Sequence, residues 1–320
     1  MKILILGLGP IGSVYGYVFK KAGHDVTHFI REEKRSKVEE TLKVKLFDIR
    51  YNKKGKSKED EYNIELMQDR EFDFIFISVS PRKVKDAVDT INKNSIKGTI
   101  VFFNCLYMER EDIESIVKGN DYIVAYPLVA GCLDGNVLDA VIFDHIVAQK
   151  KGESKVKNYN GFVSLFASCD IYIENPFDML EWNLVYMGVS AGFISSAGSL
   201  FDLRDVKNTF LSVINSNKAL SYAFNAIKEI VFALAKRGIK PINYKNILSS
   251  YNSPPKIAGM IIRRNIRNNE CMKRMFCLNV DFEDLLFVVL SIYDLCKEEN
   301  VECPLFYKNC EIVKEKYCNR

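Results

Sequence analysis

The feature that most constrains this chain starts at its second residue. Lys2 to Leu6 is a short apolar run, of the kind shown by a strand buried on both faces of a parallel sheet. It runs directly into Gly7-Leu8-Gly9-Pro10-Ile11-Gly12. Ile11, Val14, Val18 and Ala22 then recur at helical spacing, Gly23 offers a C-terminal stop, and a second strand is expected from Asp25 to Ile30. G-x-G-x-x-G alone is a weak pattern because glycine is common; strand, turn, helix and strand in succession give it meaning. The first glycine permits the tight turn, the second lets backbone approach a pyrophosphate, and the third brings helix against strand. The helix N-terminus adds unpaired N–H groups and the positive end of its dipole. These residues, Gly7, Leu8, Gly9, Pro10, Ile11 and Gly12, therefore read as a dinucleotide-binding turn.

The end of the second strand selects the dinucleotide. A site for NAD usually places an acid there, to accept hydrogen bonds from the ribose 2′-hydroxyl. This strand ends Phe29-Ile30-Arg31. Arg31, assisted by Lys34, suits a 2′-phosphate, so NADP(H) is expected over NAD(H).

The alternation continues through the first half. Thr41 to Tyr51 looks extended, Asn52 to Glu61 reads as a solvated hairpin loop, and Phe72 to Val79 is a strong strand. Lys83 to Ile91 reads as a helix, and Thr99 to Phe103, Tyr122 to Ala125 and Ala140 to Ala148 as further strands. After about residue 175 the pattern turns helical, over Asp178 to Leu200, Val206 to Arg237, Pro254 to Ile266, Phe282 to Glu299 and Leu305 to Lys316. The expected fold class is α/β: a Rossmann-type NADP-binding domain over residues 1–174, followed by an all-helical substrate or dimerisation domain over 175–320. A length of 320 residues agrees with two domains, at roughly 150 residues each.

Composition narrows the partners. With 48% hydrophobic and 27% charged residues and a net charge of +4, nothing points to nucleic acid or membrane. The basic cluster Arg263, Arg264, Arg267, Lys273 and Arg274 suits an acidic ligand or, more simply, a solvated helix face. Nine cysteines without a C-x-x-C pair read as reduced thiols, and His24, His28 and His145 show no metal-ligand spacing, so no metal is expected. Cys105 reads as a packed small side chain more readily than as a reactive thiol. The short apolar start is a strand and not a leader, which implies a cytoplasmic protein, and Leu184 to Leu200 holds too many serines and glycines for a span. Gly188, Ala191, Gly192, Ser195 and Ala197 would allow close packing against another helix or, in a homodimer, a second subunit.

The N-terminal glycine turn, Arg31, Asn104 at the end of a later strand, Ala130-Gly131-Cys132-Leu133-Asp134-Gly135-Asn136-Val137, Trp182 on the first long C-terminal helix and Asn300-Val301-Glu302-Cys303-Pro304 occur in an order that resembles the ketopantoate reductase family. The resemblance implies an NADPH-dependent reductase that passes hydride to a small 2-keto acid, with a place in pantothenate biosynthesis. It also implies that Gly7 to Gly12 meet the pyrophosphate and Arg31 the 2′-phosphate. Ser80 and Asn104 would line the cofactor site, Asn104 near the nicotinamide, and Ala130 would lie in a flanking loop. In the family a lysine close after the tryptophan donates the proton; here the sequence reads Trp182-Asn183-Leu184-Val185-Tyr186, and no lysine lies between Pro176 and Lys207. Asn183 could orient a carbonyl but has no usable acid pKa. Tyr186, Glu283 and Asp284 are further candidates on the substrate side.

Three readings follow: a reductase of a small acidic carbonyl substrate with an altered proton donor, with Asn104 and Asn183 as catalytic candidates; a non-catalytic NADP(H)-binding sensor; and an opine-type or imine reductase, whose substrate arrives already protonated.

Overall fold

The structure, a computed structural model, describes residues 1–35, 39–275 and 281–318. Cys277 and the side chains of Lys34 and Lys273 lie outside the described residues. The chain forms two compact units, Met1–Leu180 and Glu181–Arg320.

The first unit begins β1 (Lys2–Leu6), α1 (Pro10–Lys21), β2 (Asp25–Phe29), the single turn α2 (Glu32–Arg35), β3 (Thr41–Asp48), β4 (Lys56–Asn63) and β5 (Glu71–Ile77). It continues with α3 (Val84–Lys93), β6 (Lys97–Phe103), α4 (Arg110–Val117), β7 (Tyr122–Tyr126), β8 (Val129–Asp134), β9 (Val137–Ile142), β10 (His145–Ala148), α5 (Tyr159–Ala167) and β11 (Tyr172–Glu174). A seven-stranded sheet runs β11-β10-β7-β6-β5-β1-β2, parallel from β7 to β2. A separate four-stranded sheet runs β4-β3-β9-β8. Leu42, Val44 and Leu46 of β3 and Leu138, Ala140 and Ile142 of β9 alternate along their strands, and all six join the core that also holds Val14, Tyr15 and Val18 of α1. At the far end of α1 the expected glycine stop is present. Gly23 has φ +86°, its N–H bonds Lys20 O, and the next N–H, of His24, bonds Phe19 O.

Two strand expectations need correction. The charged run Asn52 to Glu61 is a loop only as far as Gly55; Lys56–Asn63 is strand, paired antiparallel with β3 from Thr41↔Asn63 to Asp48↔Lys56. It is the edge of its sheet, where lysines and acids are tolerated and Tyr62 is the residue buried. Ala140 to Ala148 is not one strand either. Phe143 and Asp144 divide it, leaving β9 in the small sheet and β10 in the large one.

The second unit is helical: α6 (Met179–Leu200, whose first two residues belong to the first unit), α7 (Val206–Asn215), α8 (Asn217–Lys236), α9 (Lys245–Asn252), α10 (Pro255–Asn268), the short α11 (Glu270–Met275), α12 (Phe282–Glu298) and α13 (Pro304–Tyr317). The helix expected over Val206 to Arg237 is two helices. Ser216 leaves helical geometry and its side chain accepts from Ala219 N, capping α8. The small residues of α6 serve packing within the chain: a Cβ on Gly192 would lie 2.9 Å from the backbone N of Ile227 in α8. Among the described residues no helix is long and apolar enough to cross a membrane.

Candidate functional site

The site is set by strand direction. β1, β2, β5 and β6 are parallel, with Leu6 opposite both Phe29 and Ile77, and Ile77 opposite Phe102, so their C-terminal ends share one edge of the sheet. From β1 the chain goes to β2 on one side and later to β5 on the other. That change of direction opens a crevice between β1 and β5 at the edge where open α/β sheets take their ligands.

The glycine turn sits over this crevice. Gly7 has φ +105°, a value side-chain-bearing residues avoid. Gly9 is the N-cap of α1, extended at φ −76° and ψ 174°, and no side chain caps the helix. The first turn of α1 holds no acid and its last turn holds Lys20 and Lys21, so the anion-attracting end is left clear. The glycines differ in what surrounds them. A Cβ on Gly9 would meet nothing within 4 Å, whereas one on Gly12 would lie 2.5 Å from Ser78 Oγ and 2.8 Å from Gly7 O. Gly9 faces open space where a phosphate can approach; Gly12 is closed against β1, the Gly7 carbonyl and Ser78 just after β5.

Around the turn the structure gathers several of the expected residues. Ser78 Oγ donates to Leu6 O at 3.2 Å, tying the ends of β5 and β1 together. Asn104, only 5% exposed at the end of β6, donates from Nδ2 to Val79 O at 3.0 Å, while its Oδ1 is buried without a partner among the described residues. An orphaned buried acceptor is costly unless a ligand donor reaches it. Ser80 precedes the 3-10 turn Pro81–Lys83, and Lys83 N bonds its carbonyl. Ala130 is not in a loop: it lies in β8, paired with Val141, and its neighbour Gly131 packs so close that a Cβ there would sit 3.0 Å from Cβ of Pro10. Leu8 and Ile11 are half-buried beside the glycines, and Arg31 is exposed just after β2, with no ion pair or hydrogen bond among the described residues. Beside Asn104, burial pushes the Cys105 thiol up to about 12, which argues against a reactive thiolate there.

Sequence reasoning missed His28. It is fully buried in β2, with Nδ1 3.4 Å from Gly7 O and Nε2 2.8 Å from the Tyr62 hydroxyl. A carbonyl only accepts, so the ring proton is on Nδ1 and Tyr62 donates to Nε2. The imidazole thereby links the glycine turn to β4. Gly16 makes room for it, since a Cβ there would fall 3.0 Å from Nε2 and 2.5 Å from the Tyr62 hydroxyl. Burial, aided by Lys20 and opposed by the Gly7 carbonyl, pushes His28 down to about 4. In the unfolded chain it titrates near 6.5, so between about 6.5 and about 4 the unfolded state binds more protons and stability falls with falling pH. The expected loss reaches about 3 kcal/mol. His28→Leu should flatten this part of a urea-midpoint series from pH 7 to pH 4; an unchanged slope would assign the acid sensitivity elsewhere.

Residues 3–161 match the family model described as "Ketopantoate reductase PanE/ApbA". The chain belongs to the ketopantoate reductase family, matched through its dinucleotide-binding half. Curated protein sequences give no match. Among solved structures, a dimeric ketopantoate reductase from Staphylococcus aureus is 12% identical, with a TM-score of 0.64 over 100% of this chain and 99% of that one. D-mandelate dehydrogenase, solved with NADH and anilino(oxo)acetate, is 14% identical, with a TM-score of 0.67 over 99% and 98%. Yersinopine dehydrogenase, solved with NADP+, is 9% identical, with a TM-score of 0.64 over 98% and 90%. At these identities the likeness is one of fold, and it extends beyond residue 161 through the helical half.

The substrate-side candidates of this ketopantoate reductase family chain lie in its second unit. Asn183 is fully buried on α6, and neither amide atom has a hydrogen-bond partner among the described residues. Trp182 and Tyr186 stack one turn apart, ring centroids 5.2 Å and planes 6° apart. Glu283 and Asp284 fall in the first turn of α12, where the Asp281 side chain accepts from Glu283 N. Of the basic cluster, Arg263 is used structurally, donating to Ile214 O at 2.8 Å and Asn217 Oδ1 at 3.1 Å, and Arg274 pairs with Glu270. Arg264 and Arg267 are exposed. No group of His, Cys, Asp or Glu able to hold a metal occurs among the described residues.

Proposed function

We propose that this chain is an NADPH-dependent oxidoreductase acting on a small acidic 2-keto acid or related carbonyl. The observation that carries the reading is the glycine turn at the crevice between β1 and β5, open at Gly9, closed at Gly12 and uncapped at the start of α1. The turn and the N–H groups of α1 would hold the pyrophosphate, and Arg31 the 2′-phosphate. Ser80 and Ala130 would flank the dinucleotide, with the free Oδ1 of Asn104 facing its nicotinamide end. The nicotinamide supplies hydride chemistry when bound. The chain's own residues must fix the carbonyl and deliver a proton, and Asn183 is proposed to orient the carbonyl through its unpaired amide.

The proton is the unusual part. Loss of a positioned acid typically costs about 10² to 10⁴ in rate. Without a lysine between Pro176 and Lys207, Tyr186 or a lysine elsewhere must serve, or the substrate must bring its own proton. That absence favours a second reading, an imine or opine-type reductase, because an imine is already protonated. It equally suits a third, a sensor that binds NADP(H) without turnover.

NADPH oxidation with ketopantoate and a panel of keto acids, each with and without added amines, separates the three. Turnover with keto acid alone supports the first reading, and turnover that requires amine supports the second. Tight NADPH binding with no turnover supports the third. Arg31→Glu should weaken NADPH binding by about tenfold or more while leaving NADH within about threefold. Equal loss for both nucleotides in a fluorescence titration would remove Arg31 from the 2′-phosphate.

A further inference from the structure

We propose that the helical unit carries a binding site of its own, for a small organic anion with an apolar body. Between α8, the 3-10 turn Pro241–Tyr244 and α9 lies an open cavity of about 480 Å³, within the range of small-molecule sites. Its apolar walls are Ile227, Val231, Ile242 and Leu248, and Lys228 and Lys245 stand beside them. The wall at Ile227 is fixed from behind by the close approach of Gly192 on α6.

Charge selects the occupant. No acid is among the described residues that line the cavity, and neither lysine forms an ion pair or hydrogen bond among the described residues. Glu229, next to Lys228 in the chain, is engaged elsewhere: its carboxylate accepts from the N–H groups of Leu305 and Phe306 at the start of α13. Tyr251 also lines the cavity; burial, with Tyr186 nearby, pushes its phenol up to about 12, so at neutral pH it can donate and adds no negative charge. The side chains of Ser249 and Asn252 are likewise unpaired among the described residues. A bare inorganic anion would leave the apolar walls uncovered, and a neutral hydrocarbon would leave the cations unused. A carboxylate on an aliphatic or aromatic body uses both.

The site does not depend on the dinucleotide reading, since every residue in it belongs to the second unit. The probe is octanoate, titrated calorimetrically into the full chain beside octanol and acetate. Saturable octanoate binding is expected, with octanol and acetate each weaker by about tenfold or more. Lys228→Ala and Lys245→Ala should weaken octanoate about threefold singly and about tenfold together. Both lysines are exposed, so an unchanged melting midpoint should accompany the loss. The proposal is overturned if octanoate fails to saturate wild type, if the double variant binds it as wild type does, or if octanol or acetate matches it.

Discussion

Gly12→Ala is expected to cost this protein both stability and nucleotide, whereas Gly9→Ala costs it the nucleotide alone. At Gly12 the new methyl would meet Ser78 Oγ at 2.5 Å, Gly7 O at 2.8 Å and Ile5 Cγ2 at 3.0 Å. The serine can turn away, but the Gly7 carbonyl is backbone of the turn itself, so α1 must move off β1. Overpacking of this kind costs about 1–3 kcal/mol, and the displaced helix end no longer aims its N–H groups into the crevice. At Gly9 the methyl meets nothing within 4 Å, and φ −76° suits alanine. It would occupy only the space a pyrophosphate needs. Both variants should raise the NADPH dissociation constant by about tenfold or more, about 1.4 kcal/mol, and urea midpoints should separate them. NADPH binding at wild-type strength in both would place the dinucleotide away from this turn.

Asp48→Ala is expected to be the most damaging single change to stability. Asp48 ends β3 and is 8% exposed, and its carboxylate accepts from Arg50 Nε at 3.0 Å and Nη2 at 2.7 Å in a fork. Arg50 Nη1 then donates to Cys169 O at 2.7 Å, joining the small sheet to the end of α5. Burial opposes the guanidinium charge, yet Asp48 holds its pKa above the usual value. Removing the carboxylate strands a buried cation, which typically costs about 3–5 kcal/mol. That is a large share of the about 5–15 kcal/mol that stabilises most domains. Replacing both partners, as in Asp48→Leu with Arg50→Met, should recover most of the loss, because two apolar side chains need no compensation. A single variant within about 1 kcal/mol of wild type would mean the pair contributes no more than an exposed one.

The sequence by itself determined whatever depends on near neighbours along the chain. β1, the turn from Gly7 to Gly12, α1 with its Gly23 stop, and β2 were legible because apolar period, glycine backbone freedom and helix-end chemistry act within a few residues. So were α6, a largely uncharged apolar run long enough for several turns, and α12 and α13, whose starts are marked by the capping Asp281 and by Pro304. Only the tertiary structure decided which sheet a strand joins. Lys56–Asn63 carries a solvated composition and becomes strand because β3 offers it a backbone ladder. Ala140 to Ala148 is apolar but for Asp144 and His145 and reads as one strand, yet its halves pair with strands of different sheets. Backbone hydrogen bonds are blind to side-chain identity, so the partner is fixed by what the rest of the chain buries. His28 was hidden for the same reason. Nothing beside it in the sequence names Tyr62 or the Gly7 carbonyl, and it became part of the candidate site only when folding brought β4 and the glycine turn to opposite edges of its ring.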